Sequence, residues 1–241
     1  MKVVIVDDER LARAELTQLL GEYDDVQIIG EAKNVDEATD LLKEKDADVV
    51  FLDIQMPEKN GFELLEQLPA CPDVVFVTAY DEYAIKAFEV NALDYLLKPV
   101  DPKRLSETLD KLRPRISSEK EENSDEKPGK LSISDRIFIK DGEKCWFVEL
   151  DKVRMFESEG NYVKVHFDNF RPLILRSLNN LEDRLDSKHF FRANRKYIIN
   201  LKWVSRIESW FNGGLQVELR EGEKVEISRR QAIKFKDLMS L

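Results

Sequence analysis

The feature that most constrains the fold is a set of short apolar runs, each closed by a polar residue and separated from the next by a segment with helical spacing. The runs at 2–6, 49–52 and 74–77 are followed by Asp7 and Asp8, by Asp53 and by Thr78. Such runs are typical of strands buried on both faces of a parallel sheet. Because they alternate with helical segments, they predict an α/β domain built from βαβ units.

The polar residues at these strand ends are expected to converge. Right-handed crossovers place the carboxyl ends of parallel strands at one edge of the sheet. The residues expected at this edge are Asp7, Asp8, Asp53, Thr78 and Lys98. A single aspartate at such a position is explained equally well as a helix cap or a solvated loop residue. That alternative gives no reason for the Lys-Pro pair at 98–99, so the full set favours a functional site.

A cluster of this kind implies a particular chemistry. Three carboxylates held close together repel one another and need a counter-charge, which Mg²⁺ supplies with few protein ligands and retained waters. Lys98 can pair with Asp53 or with a phosphate, and the hydroxyl of Thr78 can bond an added phosphoryl oxygen. Since carboxylates are known phosphoryl acceptors, the cluster predicts phosphoryl transfer to an aspartate.

Residues 1–112 resemble the receiver domain of two-component response regulators. The resemblance is carried by V-D-D-E at 6–9, L-D-I-Q-M-P at 52–57 with Gly61, V-T-A at 77–79 and D-Y-L-L-K-P at 94–99. It implies a flavodoxin-like fold, with a five-stranded parallel sheet that is doubly wound.

The same resemblance implies the ligands of the site. Asp53 would be the phosphoacceptor. Asp8, Asp53 and the main-chain carbonyl of Gln55 would bind Mg²⁺ directly, and Asp7 would bind it through water.

Three further residues would respond to phosphorylation. Thr78 and Lys98 would bind the phosphoryl oxygens, and Tyr95 would act as an aromatic switch, although an aromatic residue in a strand is also a common core residue. The Lys98–Pro99 bond is cis in the family, and X-Pro is the bond type for which cis is accessible at low cost.

A phosphatase is the alternative enzyme interpretation. Phosphatases with an aspartate nucleophile usually carry a second acid two residues later, and Gln55 occupies that position here. A receiver instead accepts a phosphoryl group and slowly loses it to water, without a separate substrate. The sequence therefore predicts a protein that is not an enzyme. The sequence also has no Gly-rich phosphate loop, so it gives no support for nucleotide binding.

Charge and composition divide the chain. Residues 1–112 carry 12 basic and 26 acidic side chains, whereas residues 131–241 carry 21 basic and 17 acidic ones. An acidic first part and a basic second part fit a regulator attached to a nucleic-acid binder. Residues 114–130 have almost no apolar side chain and predict a flexible tether. A charged helix that continues past Leu112 is the alternative, limited by Pro114 and Pro128.

The second half predicts mainly antiparallel β structure. Nine short β-branched or aromatic runs between 136 and 227 are separated by Gly, Asn and Asp. A hairpin turn is expected at 212–214, and short helices are expected at 178–186 and 230–241. The two cysteines lack metal-ligand spacing, and we expect them to be reduced.

Residues 135–241 resemble the LytTR family of bacterial DNA-binding domains. The resemblance is carried by E-S-E-G-N-Y-V-K-V at 157–165, F-F-R-A-N-R-K-Y-I-I-N-L at 190–201 and I-S-R-R at 227–230. Where the family usually has His-Arg-Ser, this chain has Asn-Arg-Lys at 194–196. Family members insert loops into successive major grooves. The DNA-facing residues that the resemblance implies are Asn161, Tyr162, Lys164, Asn194, Arg195, Lys196, Arg229 and Arg230.

These residue types suit DNA. Arginine can bond guanine through two hydrogen bonds and asparagine can do the same with adenine, whereas lysine and tyrosine serve phosphates. Arg192 is expected to pair instead with an acid beneath the loop. A β module that binds a protein or a small ligand remains the rival interpretation of this half.

The sequence thus predicts a receiver domain at 1–112, a flexible linker at 113–134 and a DNA-binding domain at 135–241. The predicted protein is a bacterial response regulator, in which phosphorylation of Asp53 by a partner histidine kinase controls binding to double-stranded promoter DNA and hence transcription. Phosphorylation is expected to change the face at 84–97 and to favour a homodimer. Without a signal peptide or a long apolar run, a cytoplasmic protein with no membrane contact is expected.

Overall fold

The structure, a computed structural model, describes residues 1–79, 93–122, 130–142 and 144–239. The described chain forms two compact units, the first made mainly of residues 1–122 and the second mainly of residues 148–239.

The first unit is a parallel sheet with helices between its strands. The strands are β1 Lys2–Val6, β2 Gln27–Ala32, β3 Val49–Leu52, β4 Asp73–Thr78 and β5 Asp94–Leu97, in the spatial order β2-β1-β3-β4-β5. The described helices of this unit are α1 Arg10–Leu20, α2 Val35–Glu44, α3 Gly61–Gln67 and α4 Pro102–Glu122. All four strand pairings are parallel, and the order is the flavodoxin-like one. The predicted fold class is therefore confirmed for this unit.

Helices bury both faces of this sheet. On one face, Leu16 of α1 and Leu105 of α4 pack in one core cluster. On the other, Val35 of α2 and Leu64 of α3 pack in a second cluster. This double covering explains why the strand sequences are apolar at every position rather than at alternate ones.

The helix α4 corrects one expectation. Pro114 was predicted to limit the helix, yet α4 continues through it to Glu122. Leu105, Leu109 and Leu112 are 0% exposed, and Ile116 is 7% exposed. The apolar stripe therefore continues one turn beyond Leu112, past the proline, and its burial offsets the hydrogen bond that proline cannot donate. The boundaries predicted for the two domains stay a prediction.

The second unit is mainly β structure. Strands β6 Arg136–Asp141 and β7 Lys144–Glu149 form a two-stranded sheet. The strands that follow form a five-stranded sheet with the order β10-β9-β8-β12-β11 and a three-stranded sheet with the order β13-β14-β15. The five strands are β8 Val153–Glu159, β9 Tyr162–Phe167, β10 Leu173–Ile174, β11 Phe190–Arg192 and β12 Tyr197–Asn200. The other three are β13 Val204–Ser209, β14 Leu215–Leu219 and β15 Lys224–Ile227, and the helices are α5 Leu178–Arg184 and α6 Arg229–Met239. Neighbouring strands of both larger sheets pair antiparallel, as predicted.

Local signals placed most of these elements correctly. The Ser177 hydroxyl accepts a hydrogen bond from Asn180 N–H (3.1 Å) and begins α5, and Asn212 and Gly213 have φ of 55° and 76° in the predicted turn. The helix α5 ends at Arg184 instead of 186, and α6 begins at Arg229 instead of 230. Strands β2 and β11 had not been located.

Candidate functional site

The carboxyl ends of β1 and β3 lie side by side where the strand order reverses, and they bring three aspartates together. The backbone N–H of Asp53 donates to the carbonyl of Val6 (2.8 Å), which extends the pairing of these strands. One carboxylate oxygen from each of Asp7, Asp8 and Asp53 lies within 4.8 Å of the others. Asp7 and Asp53 are buried, whereas Asp8 is the more exposed member. The edge is therefore a concentrated patch of negative charge.

Lys98 follows β5 and places its ammonium group between two of these carboxylates. Its Nζ lies 2.6 Å from Oδ2 of Asp53 and 2.7 Å from Oδ2 of Asp7. The backbone N–H of Lys98 donates to the carbonyl of Thr78 (2.9 Å), and the Lys98–Pro99 bond is cis. The side chains of Lys98, Asp53 and Asp7 are only 14%, 7% and 6% exposed. Water therefore screens this ion triplet poorly.

Backbone groups fix the orientation of the two buried carboxylates. The N–H of Gln55 donates to Oδ1 of Asp53 (3.1 Å), and the N–H of Glu9 donates to Oδ1 of Asp7 (2.9 Å). A Cβ added to Gly61 would lie 2.5 Å from the carbonyl oxygen of Asp53. Glycine is thus required where α3 begins, because any side chain would displace the Asp53 backbone.

The pKa values of Asp7 and Lys98 reflect their burial and the hydrogen bonds between Lys98 and the carboxylates. Burial raises the pKa of Asp7, and the hydrogen bond from Lys98 opposes this rise only in part. Burial also disfavours the charged form of Lys98, but its hydrogen bonds to Asp53 and Asp7 outweigh this effect and raise its pKa. Three carboxylates face one ammonium group, so the cluster retains negative charge.

The donor set suits a hard dication. Carboxylate oxygens are the ligands that Mg²⁺ prefers, and the exposed position of Asp8 leaves room for retained waters. Gln55, whose main-chain carbonyl was predicted as a further ligand, comes two residues after Asp53 and already bonds that carboxylate through its N–H. The residues present therefore fit the predicted magnesium site.

Thr78 and Tyr95 lie on the neighbouring strands β4 and β5. Thr78 is 0% exposed, and among the residues described here its Oγ1 has no hydrogen-bond partner. A buried hydroxyl without a partner costs about 1–3 kcal/mol, so such a group calls for a functional explanation. Tyr95 is 9% exposed and pairs with Phe76 of β4 in the core. Residues 80–92, which make up most of the predicted switching face at 84–97, lie outside the described residues.

In the second unit, the three segments predicted to face DNA lie next to one another. The N–H of Ser158 donates to the carbonyl of Lys196 (2.8 Å), which joins the β8–β9 hairpin to the loop at 194–196. The side-chain amide of Asn194 donates to the carbonyl of Glu226 (2.6 Å), which joins this loop to the segment before α6. Three segments that lie far apart in the sequence thus form one surface at this end of the sheets.

Several of the predicted DNA-facing side chains are exposed on this surface. Gly160, with φ of 61°, and Asn161 form the turn between β8 and β9, and Tyr162 is 46% exposed. Asn161, Tyr162 and Arg195 line one groove of about 460 Å³, together with Arg176 and Arg192. Exposed polar and basic groups along a groove of this kind can follow a phosphate backbone.

Other predicted residues are already engaged within the protein. Oδ1 of Asn194 accepts from the N–H groups of Lys196 (2.7 Å) and Tyr197 (3.1 Å), so this side chain shapes the loop. Nζ of Lys196 lies 2.8 Å from Oε1 of Glu157, and Lys164 pairs with Glu159.

The last predicted pair begins helix α6. Arg229 and Arg230 are exposed, and the first turn of α6 contains no acidic residue. Cations at a helix N-terminus oppose the helix dipole by about 0.3–1 kcal/mol each, whereas an anion there is stabilised. This arrangement favours a bound anion such as a DNA phosphate.

Comparison with known proteins identifies a family for each unit. The family model described as the response regulator receiver domain matches residues 3–110, and that described as the LytTr DNA-binding domain matches residues 143–240. The sensory transduction protein LytT of Enterococcus faecalis and that of Bacillus subtilis are each 35% identical to this chain, and the alignments cover 100% of both proteins. The transcriptional regulatory protein LytR of Staphylococcus aureus (strain MW2) is 33% identical with the same coverage. The chain belongs to the LytT/LytR family of two-component response regulators.

Solved structures match each half of this response regulator separately. The response regulatory domain of mrkE from Klebsiella pneumoniae is 36% identical, covers 49% of this chain and 99% of that one, and gives a TM-score of 0.45. A LytTr DNA-binding domain from Bacillus cereus is 22% identical, covers 44% of this chain and 97% of that one, and gives a TM-score of 0.42.

The family membership confirms the predicted function. The response regulator acts on DNA as a transcription regulator and is not an enzyme, and its domains imply a sensor kinase as partner. No helix among its described residues is both long and apolar enough to cross a membrane.

Two residues that organise the surface predicted to face DNA were not singled out as site residues. Glu157 accepts hydrogen bonds from His166 (3.0 Å) and Tyr197 (3.2 Å) as well as from Lys196. Burial opposes its ionisation, but the bonds from Lys196 and His166 hold the pKa of Glu157 below its ordinary value. The other is Arg192, which pairs with Glu182 (3.4 Å) as expected. The sequence signal for Glu157 was an acidic residue in a strand whose neighbour, β9, carries the basic residue Lys164 opposite it.

Proposed function

We propose that Asp53 accepts a phosphoryl group from the histidine of a partner kinase, or from a small phosphodonor, and that this controls binding to promoter DNA. A carboxylate oxygen of Asp53 forms a bond to phosphorus as the bond between phosphorus and the donor atom breaks. The observation that carries the proposal is the Lys98 ammonium group 2.6 Å from the Asp53 carboxylate. This cation is placed where negative charge increases on phosphorylation.

The cation of the site is proposed to be Mg²⁺. Asp8, Asp53 and the main-chain carbonyl of Gln55 would hold it directly, and Asp7 would hold it through water. When bound, Mg²⁺ neutralises charge on the phosphoryl oxygens during transfer. The chain itself contributes Lys98, which balances part of the carboxylate charge before transfer and can bond a phosphoryl oxygen afterwards.

The proposed switch begins at Thr78 and ends at Tyr95. The buried Thr78 hydroxyl, which has no partner among the described residues, would gain one in a phosphoryl oxygen. Movement of Thr78 would leave space for the Tyr95 ring on the neighbouring strand to turn further inward. The face at 84–97 would then change and pair with a second copy in a twofold dimer, which doubles contact with repeated DNA sites.

On DNA, we assign base contacts to Arg195 and Arg230, and contacts with phosphates to Arg229 and Tyr162. Arg195 and Arg230 are exposed, and neither makes an ion pair with a described residue. Asn161 would add a contact from the β8–β9 turn. Lys164 and Lys196 already form ion pairs with Glu159 and Glu157, so we expect them to contribute less to DNA binding. Because promoter DNA is the target, we place the protein in the bacterial cytoplasm.

Phosphoryl incorporation tests the acceptor. The parent chain, Asp53→Asn and the matched control Asp46→Asn are incubated with acetyl phosphate and Mg²⁺, and the products are followed by intact mass and peptide mapping. Asp46 has a 94% exposed side chain and serves as an aspartate outside the cluster. We expect the parent and the control to be phosphorylated on residue 53, and Asp53→Asn to remain unmodified. Normal incorporation into Asp53→Asn would reject the assignment.

Salt-dependent DNA binding tests the second surface. Arg195→Ala and Arg230→Ala are compared with Arg220→Ala, an exposed arginine at the opposite end of the β14–β15 hairpin. Each of the first two substitutions should cost about 1–3 kcal/mol and relax the preference at one base pair, whereas the control should not. Affinity should fall steeply with salt in all of them. If all three variants keep the parent's base preferences, these arginines are not base contacts.

A further inference from the structure

The guanidinium group of Arg192 is bonded to the backbone of the loop at 194–196. Its Nε donates to the carbonyl of Asn194 (2.6 Å), and its NH2 group donates to the carbonyl of Arg195 (3.1 Å). Its NH1 group lies 3.4 Å from Oε2 of Glu182, and the Arg192 side chain is only 13% exposed. The guanidinium group thus bonds the loop through Nε and NH2 and pairs with Glu182 through NH1.

Further backbone groups of this loop are also bonded inside the unit. The carbonyl of Lys196 accepts from Ser158 N–H (2.8 Å), and the N–H groups of Lys196 and Tyr197 donate to Oδ1 of Asn194. All three carbonyls of 194–196 therefore have a protein donor, and Arg192 supplies two of those donors. A loop held in this way is ordered before DNA binds, which lowers the entropic cost of binding.

Arginine is the residue that can do this. Its planar fork presents several N–H donors at fixed angles, whereas lysine offers a compact charge on a flexible stem. The position of Arg192 is also fixed, since it is the last residue of β11 and pairs with Ile198 of β12. Backbone and side chain together therefore define where the carbonyl of Arg195 lies, and hence where its own side chain begins.

We propose that Arg192 is a positioning residue for DNA recognition: it holds the loop at 194–196 so that Arg195 reaches its base, and it does not contact DNA itself. This proposal rests on the proposed function, because it takes Arg195 as a base-contacting residue. It assigns specificity to a residue whose guanidinium group is bonded to the loop and to Glu182. Asn194 acts in the same way from the other side of the loop, through Glu226.

Arg192→Lys separates positioning from phosphate contact, because it keeps the positive charge and removes the fork. DNA selected by the parent chain from a randomised pool is the probe, and binding of selected and unrelated duplexes is measured over a range of salt concentrations. The variants are Arg192→Lys, Arg195→Ala, the double variant and the matched control Arg220→Lys. We expect Arg192→Lys to lower the preference at the Arg195 base pair about tenfold, with an unchanged salt slope and unchanged binding to unrelated DNA.

The double variant adds the decisive comparison. If Arg192 acts through Arg195, Arg192→Lys should reduce the preference at that base pair no further once Arg195 is alanine. A base preference of Arg192→Lys equal to that of Arg220→Lys would overturn the proposal. So would an equal loss on selected and unrelated DNA, which indicates a phosphate contact. If Arg195→Ala itself leaves every base preference intact, the proposed role of Arg195 fails instead.

A measurement on the unmodified chain covers the case in which Arg192→Lys folds poorly. Backbone ¹⁵N order parameters for residues 194–196 are determined in the parent protein without DNA. A clamped loop should give values near those of rigid backbone, about 0.85. Values below about 0.6 would show that Arg192 does not hold the loop, and would overturn the proposal.

Discussion

Replacing Lys98 by methionine removes the ammonium group that lies between Asp53 and Asp7. Methionine keeps a flexible apolar stem of similar length, so the change is mainly one of charge. In the parent, Nζ is 2.6 Å from one carboxylate and 2.7 Å from the other, with all three side chains at most 14% exposed. The variant leaves these carboxylates close together beside Asp8 without a cation among them.

The size of the effect follows from these distances. At an effective dielectric constant of about 20, each contact provides a gross attraction of about 6 kcal/mol. Much of that attraction offsets the desolvation of three buried groups, so the expected loss is that of breaking a buried ion pair. We therefore expect Lys98→Met to lower the free energy of unfolding of the first unit by about 3–5 kcal/mol. Because Lys98 competes with a dication for the same carboxylates, Mg²⁺ should stabilise the variant more than the parent.

Denaturant unfolding of the full chain, in a chelator and in MgCl₂, measures both effects. Lys33→Met is the matched control, since Lys33 and Glu37 form an exposed pair at 3.2 Å with side chains 64% and 48% exposed. Its loss should be below about 1 kcal/mol and independent of Mg²⁺. If Lys98→Met in chelator is as stable as the control, Lys98 does not compensate the carboxylates. Equal stabilisation of variant and parent by Mg²⁺ would show that the cation binds elsewhere.

Three further substitutions test the surroundings of the two sites. Gly61→Ala places a Cβ 2.5 Å from the Asp53 carbonyl oxygen. We therefore expect the free energy of unfolding in denaturant to fall by about 1–3 kcal/mol and phosphoryl incorporation to slow. Unchanged values for both would contradict the close approach. Asn200 is 0% exposed and donates to a buried carbonyl at 2.9 Å, so Asn200→Ala should cost about 1–3 kcal/mol in the same assay, and a neutral result would remove it from the core network. Burial opposes ionisation of Asp94, but the hydrogen bond from Lys111 and others hold its pKa below the ordinary value. The stabilisation that ionised Asp94 contributes is present above its unfolded-state pKa of about 4 and is lost as the pH falls through its folded-state pKa. Below about pH 4, the free energy of unfolding should therefore fall more steeply with pH in the parent than in Asp94→Asn. Parallel curves of the free energy of unfolding against pH would refute this.

Much of the first site could be predicted from the sequence because its signals are local. An apolar run closed by Asp7 or Asp53 marks a strand and its end, and the handedness of crossovers is general enough to bring such ends together. The extent of α4 could not be predicted from Pro114 alone. It depends on the burial of Ile116, which is a tertiary property that overrides a local helix breaker.

The surface predicted to face DNA was harder to predict, because residues far away in the sequence determine which of its side chains are bonded within the protein. Asn194 is of a type that reads adenine, yet its amide bonds the carbonyl of Glu226, a residue 32 positions away. Arg192 and Arg195 look alike in sequence, but the Arg192 side chain is bonded within the protein and only 13% exposed, whereas Arg195 is exposed. Residue type and motif position therefore indicated the surface, whereas the structure was needed to show which of its side chains are exposed and which are bonded within the protein.

Under the proposed function, a phosphoryl group on Asp53 is coupled to DNA binding. The most direct test measures the dissociation constant of the parent and of Asp53→Asn for one DNA fragment, chosen from a randomised pool by the phosphorylated parent, with and without acetyl phosphate and Mg²⁺. Coupling between the two sites predicts that the phosphodonor tightens binding of the parent by about 5- to 150-fold and leaves Asp53→Asn unchanged. An equal response in both proteins, or none in a parent shown to be phosphorylated, would show that Asp53 phosphorylation does not control DNA binding.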